Sequence, residues 1–405
     1  MADRIPQYPK LRPIEVTPVL HEGKKALAVY DPTRLSDGVV VVTQDLAYAL
    51  QLMDGQHSLL DIRAAYLRKF GSFLFEDQLV RLVSLLDEHL LLDNERSAAH
   101  RLQVEAEFRN APVRDSTHAG QSYPEGAEEL RQFLGHFFPP EGAQEPPFAP
   151  SLLRGCVVPH IDLRAGGPSY GRAYRFLSAA GPVDLFVILG TCHVPIPAPF
   201  AGTSKNFRTP LGLAHTDGDF MYSLGRLWDG DLFAGEIAHR YEHTIEFQVI
   251  FLQHVFGEIR IAPLLCAFSP LELTADAQLR TQVDRFAEAL RQALSAYGGR
   301  VIVMASADLS HVGPRYGDPW AVDNTRLALV RSHDQEFIQA VLSGDAERGA
   351  SVLATAGNRF RVCGFPPIYT MLRALEAKGG VVLDYHHAVV DGSGSVVTFA
   401  SIALY

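Results

Sequence analysis

Cysteine is scarce in this chain, and the four present, Cys156, Cys192, Cys266 and Cys363, include no C-x-x-C pair. That scatter argues against a disulfide framework and against a zinc ribbon, and reduced intracellular thiols are the simple reading. Long apolar runs are missing as well. None approaches the roughly 18 residues of a membrane span, and the opening MADRIPQYPK has no apolar h-region. A soluble, unexported, cytoplasmic protein without a membrane partner is expected. Positive charge is in deficit, with Lys+Arg 36 against Asp+Glu 46 and a formal net charge of -10. A phosphate backbone needs clustered Lys and Arg, so nucleic acid is not expected as a partner.

What is present reads as globular. The 405 residues are 47% hydrophobic and 20% charged, enough for a sizeable core and, by length, for more than one domain. Three regions are expected: a small module over 1–100, a helical linker over 101–111, and a large α/β domain over 112–405. In the first, AVYDPTRLSDGVVVVT suggests two short strands. Three helical stretches follow: QDLAYALQLMDG, SLLDIRAAYLRKFG and FEDQLVRLVSLLDEHL. Phe75, Leu79, Leu82, Val83 and Leu86 make one apolar stripe on the third. Ser58 and Gly71 stand where caps belong on the second. A closing LLLD strand would complete a winged-helix module. Acidic residues outnumber basic ones here, so DNA reading is disfavoured and peptide or protein docking, or a purely structural role, remains.

The large domain is organised around Leu152 to His193. LLRGCVVPHID and DLFVILGTCH are apolar runs that each end in a histidine, separated by a helical stretch, as in a βαβ unit with buried parallel strands. Ligand crevices of open α/β sheets lie at the carboxyl ends of strands. Placed past the ends of neighbouring strands, His160 and His193 would bring two imidazoles to one crevice, which suits a metal ion. HRYEHTIEFQVIFLQHVFG is apolar on nearly all sides and so a buried helix. Glu242, His243 and Glu246 in its first turns must be paired or face the crevice, leaving capping and a site role both open. RVIVMASADLSHVG is a further strand, and Asp308 three residues from His311 suits an acid or base oriented by a carboxylate. Cys363, before a helix start in RVCGFPPIYT, is a thiol expected to have a lowered pKa. His118 reads as a solvated loop residue.

Taken in order, PHID with its glycines, GTCH, EHTIEFQVIFLQ, SADLSH and VCGFPPI resemble the Memo family, known in prokaryotes as protein B of the AmmeMemoRadiSam system, over roughly Pro112 to Tyr405. That family is similar in fold to class III extradiol dioxygenases. The resemblance implies a mostly parallel sheet flanked by helices and one mononuclear metal held by His160, His193 and Cys363. It also implies His311 as catalytic base with Asp308 beside it, and Glu242, His243 and Cys192 lining the pocket. Fe(II) is the expected ion, with Cu(I) or Zn as competitors because one donor is a thiolate rather than the carboxylate of the dioxygenase triad. A metal-dependent redox enzyme is the expected function. A non-catalytic metal- or peptide-binding adaptor and a ring-cleaving dioxygenase are the alternatives. Radical-SAM and AMMECR-like partner proteins are also implied. Residues 1–100, through LMDGQHSLLDI and the third helix, resemble PqqD-like domains, which implies a peptide or protein ligand there.

Overall fold

A computed structural model describes residues 5–36, 38–140 and 148–405. The chain divides into two compact units, Met1–Asn110 and Ala111–Tyr405.

In the first unit β1 (Glu15–His21), β2 (Lys24–Tyr30) and β3 (Val39–Thr43) pair antiparallel in that order. Strand β1 was not expected. It joins β2 through Glu22 and Gly23, both at positive φ (51 and 76), the backbone of a two-residue hairpin turn. Helices α1 (Leu46–Gln51), α2 (Leu59–Phe70) and α3 (Glu76–Glu88) fall in the three expected stretches. Ser58 and Asp61 form a capping box on α2, and Gly71 ends it at φ 68. On α3 the stripe begins one turn later than expected, because Phe75 is the N-cap and is 61% exposed. Leu79, Leu82, Val83 and Leu86 pack with Val29, Val40 and Ile62 into this unit's core. The expected closing strand reduces to a single bridge, Leu11 to Leu92. Residues 101–110 lie within α4 (Glu95–Asn110).

The second unit opens with β4 (Val113–Asp115), α5 (Ala127–Gly135), β5 (Gly155–Val158), α6 (Leu163–Ser178) and β6 (Leu185–Thr191). Next come β7 (Phe200–Gly202), β8 (Asn206–Thr209), β9 (Gly212–Thr216), α7 (Gly218–Leu227), α8 (His243–Phe256) and β10 (Arg260–Cys266). Then follow α9 (Pro270–Ala275), α10 (Ala277–Ala296), β11 (Val301–Ser306), β12 (Asp308–Val312), α11 (Asn324–Leu342) and α12 (Ala346–Thr355). Helix α13 (Phe365–Leu375) and the hairpin of β13 (Gly380–Val389) and β14 (Val396–Leu404) end the chain.

The strands form one sheet in the order β12-β14-β5-β11-β6-β10-β9-β8-β4, with β13 beside β14 and β7 beside β10. The central run β5-β11-β6-β10-β9 is parallel, and β14 closes onto β5 antiparallel. Every residue of β5, β6 and β14 is buried, as continuous apolar strands require when helices cover both faces. Phe220, Phe286 and Ile368 of α7, α10 and α13 pack on one face. Tyr170, Tyr174 and Phe251 of α6 and α8 pack on the other. One expectation is corrected: β5 and β6 are not neighbours. Strand β11, from about 110 residues further along the chain, lies between them and hydrogen-bonds both. Among the described residues no helix is long and apolar enough to cross a membrane.

Candidate metal centre

The three central strands end at one edge of the sheet and hand their next residues to one crevice. β5 leads into Pro159 and His160, β6 into Cys192 and His193, and β11 into Ala307 and Asp308. The Ala307 N–H donates to the Val158 carbonyl at 2.8 Å, tying two of these ends together. Helix α8 starts against the third. A Cβ at Gly190 would lie 2.5 Å from Thr244 Oγ1, and that hydroxyl donates to the Thr191 carbonyl at 3.0 Å. The missing side chain in β6 therefore lets α8 start beside His193. The His193 and His243 rings stack with centroids 5.0 Å apart.

His160, His193 and His243 each offer a ligand nitrogen, and these atoms all lie within 4.8 Å of one another. Their hydrogen bonds fix which nitrogen is free. Nδ1 of His160 is 3.0 Å from the Ser306 carbonyl. Nδ1 of His193 is 3.1 Å from the Glu242 carboxylate, and Nδ1 of His243 is 3.1 Å from the same group. A carbonyl and a carboxylate only accept, so each Nδ1 carries a proton, and in the neutral form of each ring it is Nε2 that holds the lone pair. This is the state a metal-ligating histidine needs, oriented by its outer partner. Burial and the neighbouring imidazoles hold His160 well below the usual histidine pKa. At His193 burial pulls the pKa down, but the charge and hydrogen bonds of Glu242 outweigh it and raise it. Glu242 stays ionised despite burial because His193 and His243 face it. It also accepts the backbone N–H groups of His193 at 2.9 Å and Thr244 at 3.1 Å. Capping and the crevice thus share one carboxylate.

Cys363 reaches the same place. Its Sγ is 3.4 Å from His160 Nε2 and 3.8 Å from the Asp308 carbonyl. A Cβ at the following Gly364 would sit 2.4 Å from that carbonyl oxygen, so glycine there lets the segment close in. The expected lowering of the thiol pKa is corrected. Burial pushes it up, against the opposing hydrogen bond with His193. Cys192 turns its sulfur toward the Val194 carbonyl at 3.2 Å, and burial with the nearby Glu242 charge raises its pKa to about 12.

Asp308 does not grip His311 as its spacing suggested. Its Oδ1 accepts the backbone N–H groups of His160 at 2.9 Å and Ile161 at 3.2 Å, and its Oδ2 lies 3.6 Å from His160 Nε2. Residues three apart on a strand face opposite sides, and the β12 pairing with β14 also shifts register between these two. His311 instead places Nδ1 3.0 Å from the Leu309 carbonyl. Its Nε2 is thereby left as the basic nitrogen, and burial lowers the ring's pKa against the pull of Asp308. Asp308 itself is pushed upward by burial.

Two residues escaped the sequence reading. His118 is 9% exposed, not solvated. Its Nε2 hydrogen-bonds the Tyr241 carbonyl at 3.0 Å, and its ring meets His243 edge-on. Arg114 is buried with Glu246 in an ion pair and donates to the carbonyls of His239 and Glu242, each at 3.0 Å. Glu246 therefore belongs to the support of the crevice. The second glutamate of EHTIE hinted that a buried cation was needed, but nothing local said which.

Fold and site together define an α/β protein with several imidazoles and a thiol gathered at the carboxyl edge of a parallel sheet. The chain belongs to the Memo-like family, whose model, described as "Memo-like protein", matches residues 114–403. It is 29% identical to a MEMO1 family protein of Aquifex aeolicus over 98% of this chain and 100% of that protein. It is 30% identical to the MEMO1 family protein TTHA0924 of Thermus thermophilus, over 82% of this chain and 94% of the relative. With MK0963 of Methanopyrus kandleri it shares 29% identity over 70% of this chain and 96% of the relative. The Aquifex protein thus matches the first unit too, whereas the family model begins only at Arg114. A solved structure described as uncharacterized protein JW3007 of Escherichia coli K12 covers 62% of this chain and 100% of its own at 15% identity. Its TM-score of 0.32 is too low to bear on the fold.

Proposed function

We propose that this protein holds one metal ion through His160 and His193, with His243 and Cys363 as further donors, and works as a metal-dependent redox enzyme. The observation that carries this is the Glu242 carboxylate, which engages Nδ1 of both His193 and His243 and so turns two Nε2 lone pairs to the cluster that His160 completes. Imidazole nitrogens with one sulfur suit Fe(II), and equally admit Cu(I) and Zn. When bound, Fe(II) would supply one-electron chemistry toward O₂ or a substrate. The chain's own part is orientation and proton handling. Asp308 fixes the backbone of His160 and Ile161, and His311 presents Nε2 to take a proton from a bound substrate. Sulfur in the donor set weighs against ring cleavage of the dioxygenase type.

Anaerobic loading of the full chain with Fe(II), Cu(I) or Zn(II), followed by elemental analysis, tests the binding. One ion per chain is expected for the wild type, and none for His160→Ala or His193→Ala. Cys363→Ser should lose Cu(I) and keep Zn(II), because the soft donor goes while the imidazoles remain. O₂ uptake by the Fe(II)-loaded protein with a reductant then tests the redox reading. Full loading without uptake would leave a binding protein, not an enzyme.

A further inference from the structure

A second cavity, of about 550 Å³, lies between α11 and α12 and is lined by residues including His333, Glu336, Arg348 and Arg359. None of these belongs to the imidazole cluster. His333 is 8% exposed, and both of its ring nitrogens are sealed from solvent without a hydrogen-bond partner. Unpaired buried polar groups are destabilising, so a buried histidine in this state calls for an explanation. Its ring contacts Phe360 edge-on. Burial and the charge of Arg359 hold it neutral, with Glu336 pulling the other way.

Two arginines lining the cavity, Arg348 and Arg359, are exposed. Among the described residues, neither the Arg348 nor the Arg359 guanidinium forms an ion pair or side-chain hydrogen bond, although Arg359 stacks on Phe360 at 4.7 Å. On the neighbouring surface Arg280 and Arg373 are both taken up by Glu347. Two uncommitted guanidinium groups beside one wall histidine offer forked donors to an oxyanion. We propose that this cavity binds a small metabolite through a compact oxyanion, a carboxylate or a phosphate. Arg348 and Arg359 hold the charge, and His333 turns a nitrogen toward the ligand.

The site has a built-in route to the crevice. The Phe360 carbonyl accepts the backbone N–H of His311 at 2.6 Å. Arg361 Nη1 donates to the His311 carbonyl at 3.0 Å, and Cys363 follows two residues on. This stretch is tightly bent, with Gly357, Asn358 and Arg361 all at positive φ. Binding at Arg359 therefore bears on a segment that carries Cys363 and is hydrogen-bonded to the backbone of His311. The binding itself does not rest on a metal in that crevice.

Calorimetric titration of the full chain with inorganic phosphate and with succinate tests the proposal. At least one probe should bind at one site per chain, and Arg348→Gln and Arg359→Gln should each weaken that binding about tenfold or more. Arg285→Gln, whose arginine pairs with Asp229 elsewhere, should bind as the wild type does. The phosphate and succinate arms tell the two oxyanions apart. His333→Leu should melt no lower than the wild type without probe, because an unpaired polar ring is removed, yet bind the probe at least fivefold more weakly. Absence of binding by both probes, equal binding by the arginine variants, or undiminished binding by His333→Leu would overturn the assignment.

Discussion

Both carboxylate oxygens of Glu242 stand 3.1 Å from Nδ1 of His193. The same group meets His243 and two backbone N–H groups, so four donors share it. A glutamine at 242 keeps the shape but has one accepting oxygen, and its amide N–H would confront a donor. One imidazole must then change tautomer or turn away. Glu242→Gln should therefore weaken Zn(II) binding about 10–100-fold while the folded state persists. Competition with a chromophoric chelator measures the affinity, and circular dichroism checks the fold.

Gly364 gives a test of how the sulfur is placed. An added methyl would lie 2.4 Å from the Asp308 carbonyl oxygen and 2.5 Å from Ala307 Cβ, at the junction of β11 and β12. Neither can yield cheaply, so the Cys363 segment must retreat. Gly364→Ala should lose the thiolate-to-metal charge-transfer band of a Co(II)-substituted protein while Co(II) still binds through the imidazoles. An unchanged band would show that Cys363 is not held by this contact.

How much of this could be read in the sequence follows from the range of each interaction. The runs before His160 and His193 announced buried parallel strands because burial on both faces leaves no polar alternation. Their placement as neighbours failed because the strand between them, β11, is chosen by tertiary packing and leaves no local mark. Glu242 and His243 were visible as buried polar residues, but that one carboxylate would serve two imidazoles depends on Gly190 admitting α8, a three-dimensional fit. The helix-start position of Cys363 suggested a lowered pKa, and desolvation reversed it. Strand β1 was missed although Glu22-Gly23 is a recognisable turn pair.

Arg114 and Glu246 form an ion pair with side chains 1% and 0% exposed. Removing the cation alone strands a buried carboxylate, a loss of about 3–5 kcal/mol. Arg114→Met should therefore destabilise the unit strongly, and Arg114→Met with Glu246→Gln should recover part of the loss. Burial raises the Glu246 pKa and Arg114 is the largest influence holding it down. Without Arg114 the carboxyl will titrate upward, and the single variant will become more stable as pH falls. Urea unfolding followed by tryptophan fluorescence reads this unit alone, since both tryptophans, Trp228 and Trp320, lie within it.

Asp334 sits behind the strand that carries His311 and accepts hydrogen bonds from three hydroxyls, those of Ser310 and Thr398 at 2.6 Å and of Tyr385 at 2.8 Å. Burial, opposed by those hydrogen bonds, still raises its pKa to about 6 from an ordinary 3.8. The folded protein then holds a proton at this position in a range where the unfolded chain has lost it. Its contribution to stability is complete below the ordinary value and disappears as pH rises through about 6. The full swing is about 3 kcal/mol, from two pKa units at roughly 1.4 kcal/mol each. Asp334→Asn cannot ionise, so its unfolding free energy should lack this decline between pH 4 and 7. At low pH it should be the less stable form, by about 1–3 kcal/mol, because an amide nitrogen replaces an accepting oxygen. The gap between variant and wild type should therefore narrow as pH rises, measured by the same fluorescence-detected urea unfolding at pH 4.5, 5.5 and 7. A gap independent of pH would mean that the Asp334 carboxyl titrates normally and that the hydroxyl cluster, not burial, governs it.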